Sequence, residues 1–563
     1  MYKFFLCLRY LKSRALAYAA MLAVALCVAM MLIVVSVMNG FLDKVETAAK
    51  GLFGDVVIDT AGLGGLGNYD ELIAAIGREV SEVEAASPFI LSYGMIRIPN
   101  TEYRRAVQIA GVRLPERVKV STFGQGLFVQ EGVTDPTFDP PLEQMVRSAA
   151  QAHEFTLELY RRKRNEAGDL LSRKATEKAN VENELAALQE VLDRLETALQ
   201  RQQTALERLE LVSRLLPEMT ELRRKIGQLK AQGKTLEDQE YRQTAEKLDE
   251  LVQQAKFYDA DHRIILGLGI QGLVYRTDEG QTVRMMLPGH QVLLYVFPLG
   301  RQMTTSELEP NRAMLTVVDD SRTDVSSIDS EFVYVPFETL QQLNNMHADG
   351  AQPARCSQIH VKVRGHRSER ELEQVAERIR GVWAKFRREY PLAAMTDVAV
   401  QTWRQRQARV IAPIEAQRTL VVVMFSIISS VAVVMILVIF YMIVVQKTRD
   451  IGVLKAVGAS SGGVAWIFLL YGAFVGLVGA VVGTIGGYLF VWNINPIHDW
   501  VSRVTGLTVF TREFFLFEQI PNTVNGVNAL LIVLATIAAG LIGALAPAIR
   551  AARMQPVEAL RYE

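Results

Sequence analysis

Gly267-Leu-Gly-Ile-Gln-Gly272 has the G-x-G-x-x-G spacing of a dinucleotide loop and follows an apolar run. Such a loop holds a pyrophosphate only between a strand and a helix, with an acid further on for the ribose. No βαβ pattern of that kind follows, so the dinucleotide reading is set aside. Gly62 to Gly67 is glycine-rich but lacks the Lys-Ser/Thr pair that grips phosphate, and no Walker A motif occurs. No HExxH is present, no serine sits in a GxSxG context, and the seven histidines are scattered without Cys/His pairing. The chain reads as having no catalytic site, no metal and no cofactor of its own. Any ATP it uses must be hydrolysed by another chain.

The stretch with the most unusual chemistry for its place is QKTRDIGVLKAVGAS, Gln446 to Ser460, charged and helix-forming between two very apolar runs. On a helix Ile451, Leu454 and Gly458 share one face, while Arg449, Asp450 and Lys455 offer polar contacts. Two readings stand side by side. A short helix pinned between two spans can carry a push from a cytoplasmic partner into the membrane. A basic loop in the same place would only set topology.

The surrounding elements are membrane spans. Residues 15–42 carry no charge, and about 20 apolar residues suffice to cross the hydrocarbon core. A cleaved signal peptide is disfavoured, because the run is too long and ends in SVMNGF rather than a small-x-small site. Further spans are expected at 419–446, 464–492 and 527–549. Glycines recur in the third (Gly472, Gly476, Gly479, Gly483, Gly486, Gly487), which suits close helix packing. Lys3, Arg9, Lys12 and Arg14 precede the first span, and Lys447, Arg449 and Lys455 follow the second. Arg550, Arg553 and Arg561 follow the fourth, whereas 493–526 has two basic and three acidic residues. Positive charge marks the cytoplasmic side. The expected layout is a cytoplasmic N-terminus (1–14), a cytoplasmic segment at 447–463, an extracytoplasmic loop at 493–526 and a cytoplasmic tail (550–563). Residues 43–417 then lie outside the cytoplasm, in a multi-pass protein of the plasma (inner) membrane.

Within that ectodomain, Asp55–Asp59, Ala106–Gly111, Val292–Phe297, Met314–Val318, Phe332–Val335 and Ile359–Val363 alternate like strands. Tyr69–Ala85 and Glu369–Phe386 read as helices. The fold class expected is a four-helix membrane protein with a large α+β domain in two parts, 43–140 and 262–417. Between them, 141–261 is rich in Glu, Gln, Leu, Arg and Lys. Leu185, Leu188, Leu192, Leu195, Leu199, Gln202, Leu206 and Leu209 step by three and four, a heptad seam. A weaker seam, Leu222, Ile226, Leu229, Leu236, Leu248, Val252 and Ala255, follows Pro217. The economical expectation is an antiparallel coiled-coil hairpin turning near Leu216-Pro217, each arm about 40 residues and on the order of 60 Å long. Gln202 in the seam would fix register. The alternative is a solvated charged helix, which would leave the leucines exposed.

Composition adds two exclusions. The 563 residues balance to a formal charge of zero, which gives no sign of nucleic-acid binding. Of three cysteines, Cys7 and Cys27 lie in or beside the first span, leaving Cys356 without a partner for an intramolecular disulfide.

KTRDIGVLKAVGAS resembles the cytoplasmic coupling segment of MacB/FtsX-type ABC permeases, and more closely that of the lipoprotein-releasing LolC/LolE type. LRYLKSR at Leu8–Arg14, SVMNGF at Ser36–Phe41, RIILGLGIQGL at Arg263–Leu273, FVYVPFETLQQL at Phe332–Leu343 and Thr402-Trp403 resemble that type too. The C-terminal PAIRAARMQPVEALRYE resembles the ends of the wider superfamily. Two features depart from it: DDSRTD at Asp319–Asp324 replaces a GxFxSG pattern, and the helical insertion has no usual counterpart. The resemblance implies two permease chains, copies or sisters, with a cytoplasmic ATPase dimer that binds ATP and Mg2+. Lys447, Thr448, Arg449, Asp450, Ile451, Leu454, Lys455, Gly458 and Ala459 would be the coupling residues. Met38, Asn39, Gly40 and Phe41, at the outer end of the first span among membrane lipids, would lie where substrate is admitted. The insertion would meet an extracytoplasmic protein. Three functions remain open: lipoprotein release from the outer leaflet, MacB-like export of another amphiphile, and FtsX-like mechanotransmission to a cell-wall hydrolase.

Overall fold

The computed structural model describes residues 15–60, 64–173, 180–232, 234–235, 238–254, 262–277, 281–297, 310–323, 326–350, 352–365, 367–390, 397–505 and 520–555. The basic N-terminus, the last eight residues, Leu236 and Ala255 fall outside these ranges. The chain forms two compact units, Met1–Thr47 with Ala408–Glu563, and Ala48–Gln407.

The main helices, in chain order, are α1 (Ala15–Phe53), α2 (Tyr69–Glu79), α3 (Leu114–Val120), α4 (Leu142–Arg173), α5 (Asn180–Ala231) and α6 (Gln239–Gln254). They continue with α7 (Glu369–Glu389), α8 (Ala408–Gln446), α9 (Thr448–Ala456), α10 (Ser461–Trp492), α11 (Ile494–Thr505) and α12 (Gly526–Arg553). Four of them, α1, α8, α10 and α12, are long and apolar enough to cross a membrane.

In the first unit α10 packs between α1 and α12, and its glycines divide the work. A Cβ on Gly472 would lie 2.5 Å from the Ala544 Cβ of α12, and one on Gly483 would lie 2.4 Å from the Ala25 carbonyl of α1. Gly479, Gly483 and Gly487 recur every fourth residue and form the α1 face, as close packing without side chains between backbones requires. Phe440 of α8 meets Tyr471 of α10 edge-on, with ring centroids 5.0 Å apart.

The second unit is built on a nine-stranded sheet. Its strands are β1 (Val56–Thr60), β2 (Val83–Arg97), β3 (Arg104–Val112), β4 (Arg263–Gly267), β7 (Gln291–Val296), β8 (Asn311–Ser321), β9 (Phe332–Pro336), β10 (Gln358–Val363) and β11 (Val398–Thr402). A separate hairpin joins β5 (Val274–Arg276) to β6 (Thr282–Arg284). The sheet order is β11-β1-β10-β2-β3-β9-β4-β8-β7, and the second half of β2 also pairs with β7, closing six strands on themselves. All six expected strands are present. The helix expected over Tyr69–Ala85 stops at Glu79, because Val80 turns extended and Val83 onward pairs with β10. Gly267 and Gly269 of the G-x-G-x-x-G run serve close backbone approach: a Cβ on Gly267 would meet the Asp329 carbonyl at 2.4 Å.

The insertion departs from the expected hairpin. α5 runs unbroken through Pro217, and the reversal into α6 falls after Ala231 instead. A proline inside a helix removes one hydrogen bond and costs about 3 kcal/mol. Apolar burial on both sides offsets that cost: Leu209 and Val212 before it, and Met219 and Leu229 after it, are all buried. The 52-residue α5 has different partners along its length. Its first half pairs antiparallel with α4, through Leu159 against Leu195 and Ala198. Its distal half pairs antiparallel with α6, through Met219 against Leu251. The first half also rests on the β5–β6 hairpin through Val283 and Met285. Every predicted seam leucine from Leu185 to Leu209 is partly or fully buried. Gln202, fully buried, donates to Thr156 Oγ1 at 3.0 Å and to the Arg284 carbonyl at 2.8 Å.

Candidate functional site

The predicted coupling stretch forms α9, a nine-residue helix hung between α8 and α10. Thr448 Oγ1 donates back to the Val445 carbonyl at 2.8 Å, carrying the chain out of α8 without a free end. Gly458 closes α9 with φ +105°, and the Ala459 N–H reaches the Leu454 carbonyl at 3.0 Å. A left-handed residue after the last helical turn is glycine's usual place. Ser460 then caps α10, its Oγ accepting from Gly463 N–H at 3.1 Å. The AVGAS end of the motif is thus a helix stop followed by a helix start.

The nine predicted coupling residues divide by exposure. Ile451 is buried, and Leu454, Lys455 and Ala459 are half-buried. Lys455 Nζ donates to the Ala552 and Met554 carbonyls at 2.5 and 2.7 Å, at the C-terminal end of α12. Carbonyls there lack helical partners and carry partial negative charge, so a lysine satisfies both needs. Lys447 pairs with Asp450 at 2.6 Å. Arg449, Asp450 and Gly458 are exposed. Two residues that sequence reasoning passed over complete the outer face: Val453, 47% exposed, and Val457, 84% exposed. Arg449, Val453 and Val457 follow at steps of four, the signal that would have found them. On the same end of the bundle, Arg550 of α12 donates to the Tyr441 hydroxyl of α8 and lies over its ring, 4.7 Å from the centroid.

At the opposite end of this unit, Met38, Asn39 and Phe41 are half-buried and Gly40 is buried. Residues 521–523 cross over them. Thr523 N–H donates to the Ser36 carbonyl at 3.2 Å, and its Oγ1 to Asp43 Oδ2 at 2.9 Å. Asn522 Nδ2 donates to the Val491 carbonyl at 2.7 Å. A Cβ on Gly40 would lie 2.7 Å from the Asn522 nitrogen, so this crossing demands glycine. Below it, α1, α8 and α12 enclose a cleft of about 470 Å³. Its walls are mostly apolar, with Cys27, Ser426, Ser429, Ser430 and Thr536 as the polar edge. The clustered serines inside an apolar run were a legible signal that periodicity reasoning did not use.

In the sheet unit, Arg117 of α3 is 1% exposed and donates to the Leu52 carbonyl at the end of α1 and to His360 Nδ1, 2.5 Å away. It also stacks over Phe89, 5.2 Å from the centroid. Burial without a carboxylate pulls its pKa down to about 10 and holds the His360 imidazole well below its ordinary value. Lys50 near the same helix end lies 5.2 Å over the Trp403 ring, and Trp403 N–H donates to the Asp55 carbonyl at 3.0 Å. Asp319, of the divergent DDSRTD stretch, accepts from Phe128 and Val129 N–H at 2.9 and 2.8 Å, while burial pushes its pKa up to about 6. Asp319 thus anchors the loop at Phe128–Val129. Cys356 is fully buried, and desolvation raises its thiol, which makes it inert. Among the described residues no group of three or more His, Cys, Asp or Glu could hold a metal.

Two family models match: FtsX-like permease C-terminal over residues 422–556, and MacB-like periplasmic core domain over 18–143. Neither extends over residues 144–421, where the helical insertion lies. Curated relatives include a "Lipoprotein-releasing system transmembrane protein LolC" of Xylella fastidiosa, 29% identical over 29% of this chain and 40% of the relative. One of the same name in Neisseria meningitidis is 28% identical over 31% of this chain and 42% of the relative. A LolE of Haemophilus influenzae is 25% identical over 29% of this chain and 39% of the relative. The chain thus spans about two fifths of the length of these relatives. It carries an FtsX-like permease C-terminal region and a MacB-like periplasmic core region.

Proposed function

We propose that this chain is the permease subunit of an ABC transporter, driven by a separate cytoplasmic ATPase dimer, that releases lipoproteins from the outer leaflet of the plasma (inner) membrane. One observation carries the ATPase half of this reading. α9 is tied by Lys455 to the end of α12 and by the backbone to α8 and α10, while Arg449, Val453 and Val457 stay exposed. A partner pressing on that face moves three spans together. ATP and Mg2+ bind the partner, and both termini with α9 face the cytoplasm. A second permease, a copy or a sister, completes the assembly.

The substrate half rests on the lipoprotein-releasing names of the relatives and on the cleft. A mostly apolar space of about 470 Å³ edged by hydroxyls suits an acyl chain beside a polar linkage. Affinity purification from membranes in mild detergent, with mass spectrometry of what is recovered, tests both halves. An ATPase with lipoproteins supports release. An ATPase with a wall hydrolase and no lipoproteins replaces it with the mechanotransmitter reading, which the 52-residue α5 favours as a docking arm for an extracytoplasmic protein. Recovery without an ATPase overturns both.

A further inference from the structure

We propose that α11 is a lipid-contacting helix that rests on the bilayer boundary at the end of the bundle where residues 521–523 cross α1. The sequence alone reads residues 493–526 as a plain loop. Four residues of this region are exposed at steps of four: Trp492, Pro496, Trp500 and Val504. Trp492 is 75% exposed, Trp500 62% and Val504 66%. Residues that far apart lie along one side of a helix, so these four make one apolar stripe.

Continuity names the occupant. The stripe begins on the last residue of α10, whose Val481, Ile485, Tyr488 and Leu489 are themselves exposed. In a membrane-spanning helix that face meets lipid. Past Trp492 and the single turn residue Asn493 it leads onto α11. The level in the bilayer is fixed by the crossing strap. Asn522 holds the Val491 carbonyl and packs against Gly40, three residues before Asp43, the first charge of α1. Trp492 therefore stands where apolar spans give way to charge. Tryptophan concentrates at that boundary, its ring in the acyl edge and its N–H toward headgroups. The other side of α11 is occupied by protein: Asn495 Oδ1 accepts the Ile520 N–H at 2.9 Å, which joins the helix to the strap. A helix with one side tied to protein and one apolar side open, starting at the boundary, fits an interfacial anchor. Through the strap it shares a link with Ser36 and Asp43, so lipid order at this surface bears on the outer end of α1. The inference needs the four spans and not the lipoprotein substrate.

Spin labels on the full chain test it, at Trp500→Cys and Val504→Cys, with Cys7→Ser and Cys27→Ala removing the reactive background and buried Cys356 left in place. Glu71→Cys, on the exposed side of α2, is the water reference. In vesicles of phosphatidylethanolamine and phosphatidylglycerol, labels at 500 and 504 should collide more with molecular oxygen than with a nickel chelate, reversing the order at 71. Preference for nickel at all three positions would put α11 in water and overturn the proposal. Protection from both reagents at 500 and 504, with dipolar broadening between labels, would assign the stripe to a second copy and overturn it equally.

Discussion

The Nζ of Lys455 lies 2.5 Å from the carbonyl oxygen of Ala552, which binds the predicted coupling helix to the end of the last span. The lysine is a structural tie, and the surface left for a partner is Arg449 with Val453 and Val457. Hydrogen bonds to a charged donor are worth about 1.5–3 kcal/mol. Lys455→Met should therefore lower the thermal midpoint in detergent measurably. Arg449→Glu, on the exposed face, should leave it within about 0.5 kcal/mol of the original stability.

Arg117 should be costly to remove. Arg117→Met leaves the Leu52 carbonyl and His360 Nδ1 without the donor they share. A buried acceptor so orphaned costs about 1–3 kcal/mol. Limited proteolysis of the full chain should show faster cleavage in the sheet unit, with no change at α9.

Pro217 gives the opposite sign. It is exposed and sits inside α5, where it deprives the Ser213 carbonyl of a helical donor. Pro217→Ala should stabilise the insertion by up to about 3 kcal/mol, read as slower proteolysis between α4 and α6. A loss of stability would mean that the proline ring itself is needed for packing against α6.

His290 sets an acid limit. Its Nδ1 accepts the Leu287 N–H at 2.9 Å, and burial with Arg208 and Arg201 nearby lowers its pKa from 6.5 to about 4. A folded pKa below the unfolded value gives stability that is complete above about pH 6.5 and is lost as pH falls toward 4. The loss for this group is about 3 kcal/mol at full protonation. Asp319, raised to about 6, works in the other direction, so the comparison must be between variants. His290→Asn keeps an acceptor and should flatten the decline in thermal midpoint from pH 6.5 to 4.

Much of this is legible in the sequence. Uncharged runs and recurrent glycines pointed to the four long apolar helices, because bilayer thickness and backbone approach leave few alternatives. Alternation gave the strands. Pro217 misled, since local propensity argues for a break while burial of Val212 and Met219 on either side keeps the helix whole. The partners of Lys455 were not legible: the carbonyls at 552 and 554 are about a hundred residues away, a distance that helical periodicity cannot see. The cleft and the strap over Gly40 depend on three or four segments meeting, and no single stretch carries that information.

Gly40 tests the strap. Gly40→Val would push residues 521–522 off α1, since even a Cβ comes within 2.7 Å of Asn522. Lipoprotein release in spheroplasts should fall, while recovery of the ATPase on the purified chain stays unchanged.

The central claim is that an ATPase engages α9 through Arg449, and the most direct measurement is ATPase recovered with the purified chain, for wild type and Arg449→Glu at equal thermal midpoint. The account predicts recovery with wild type and a loss with Arg449→Glu. Equal recovery with both, or none with wild type, would contradict it.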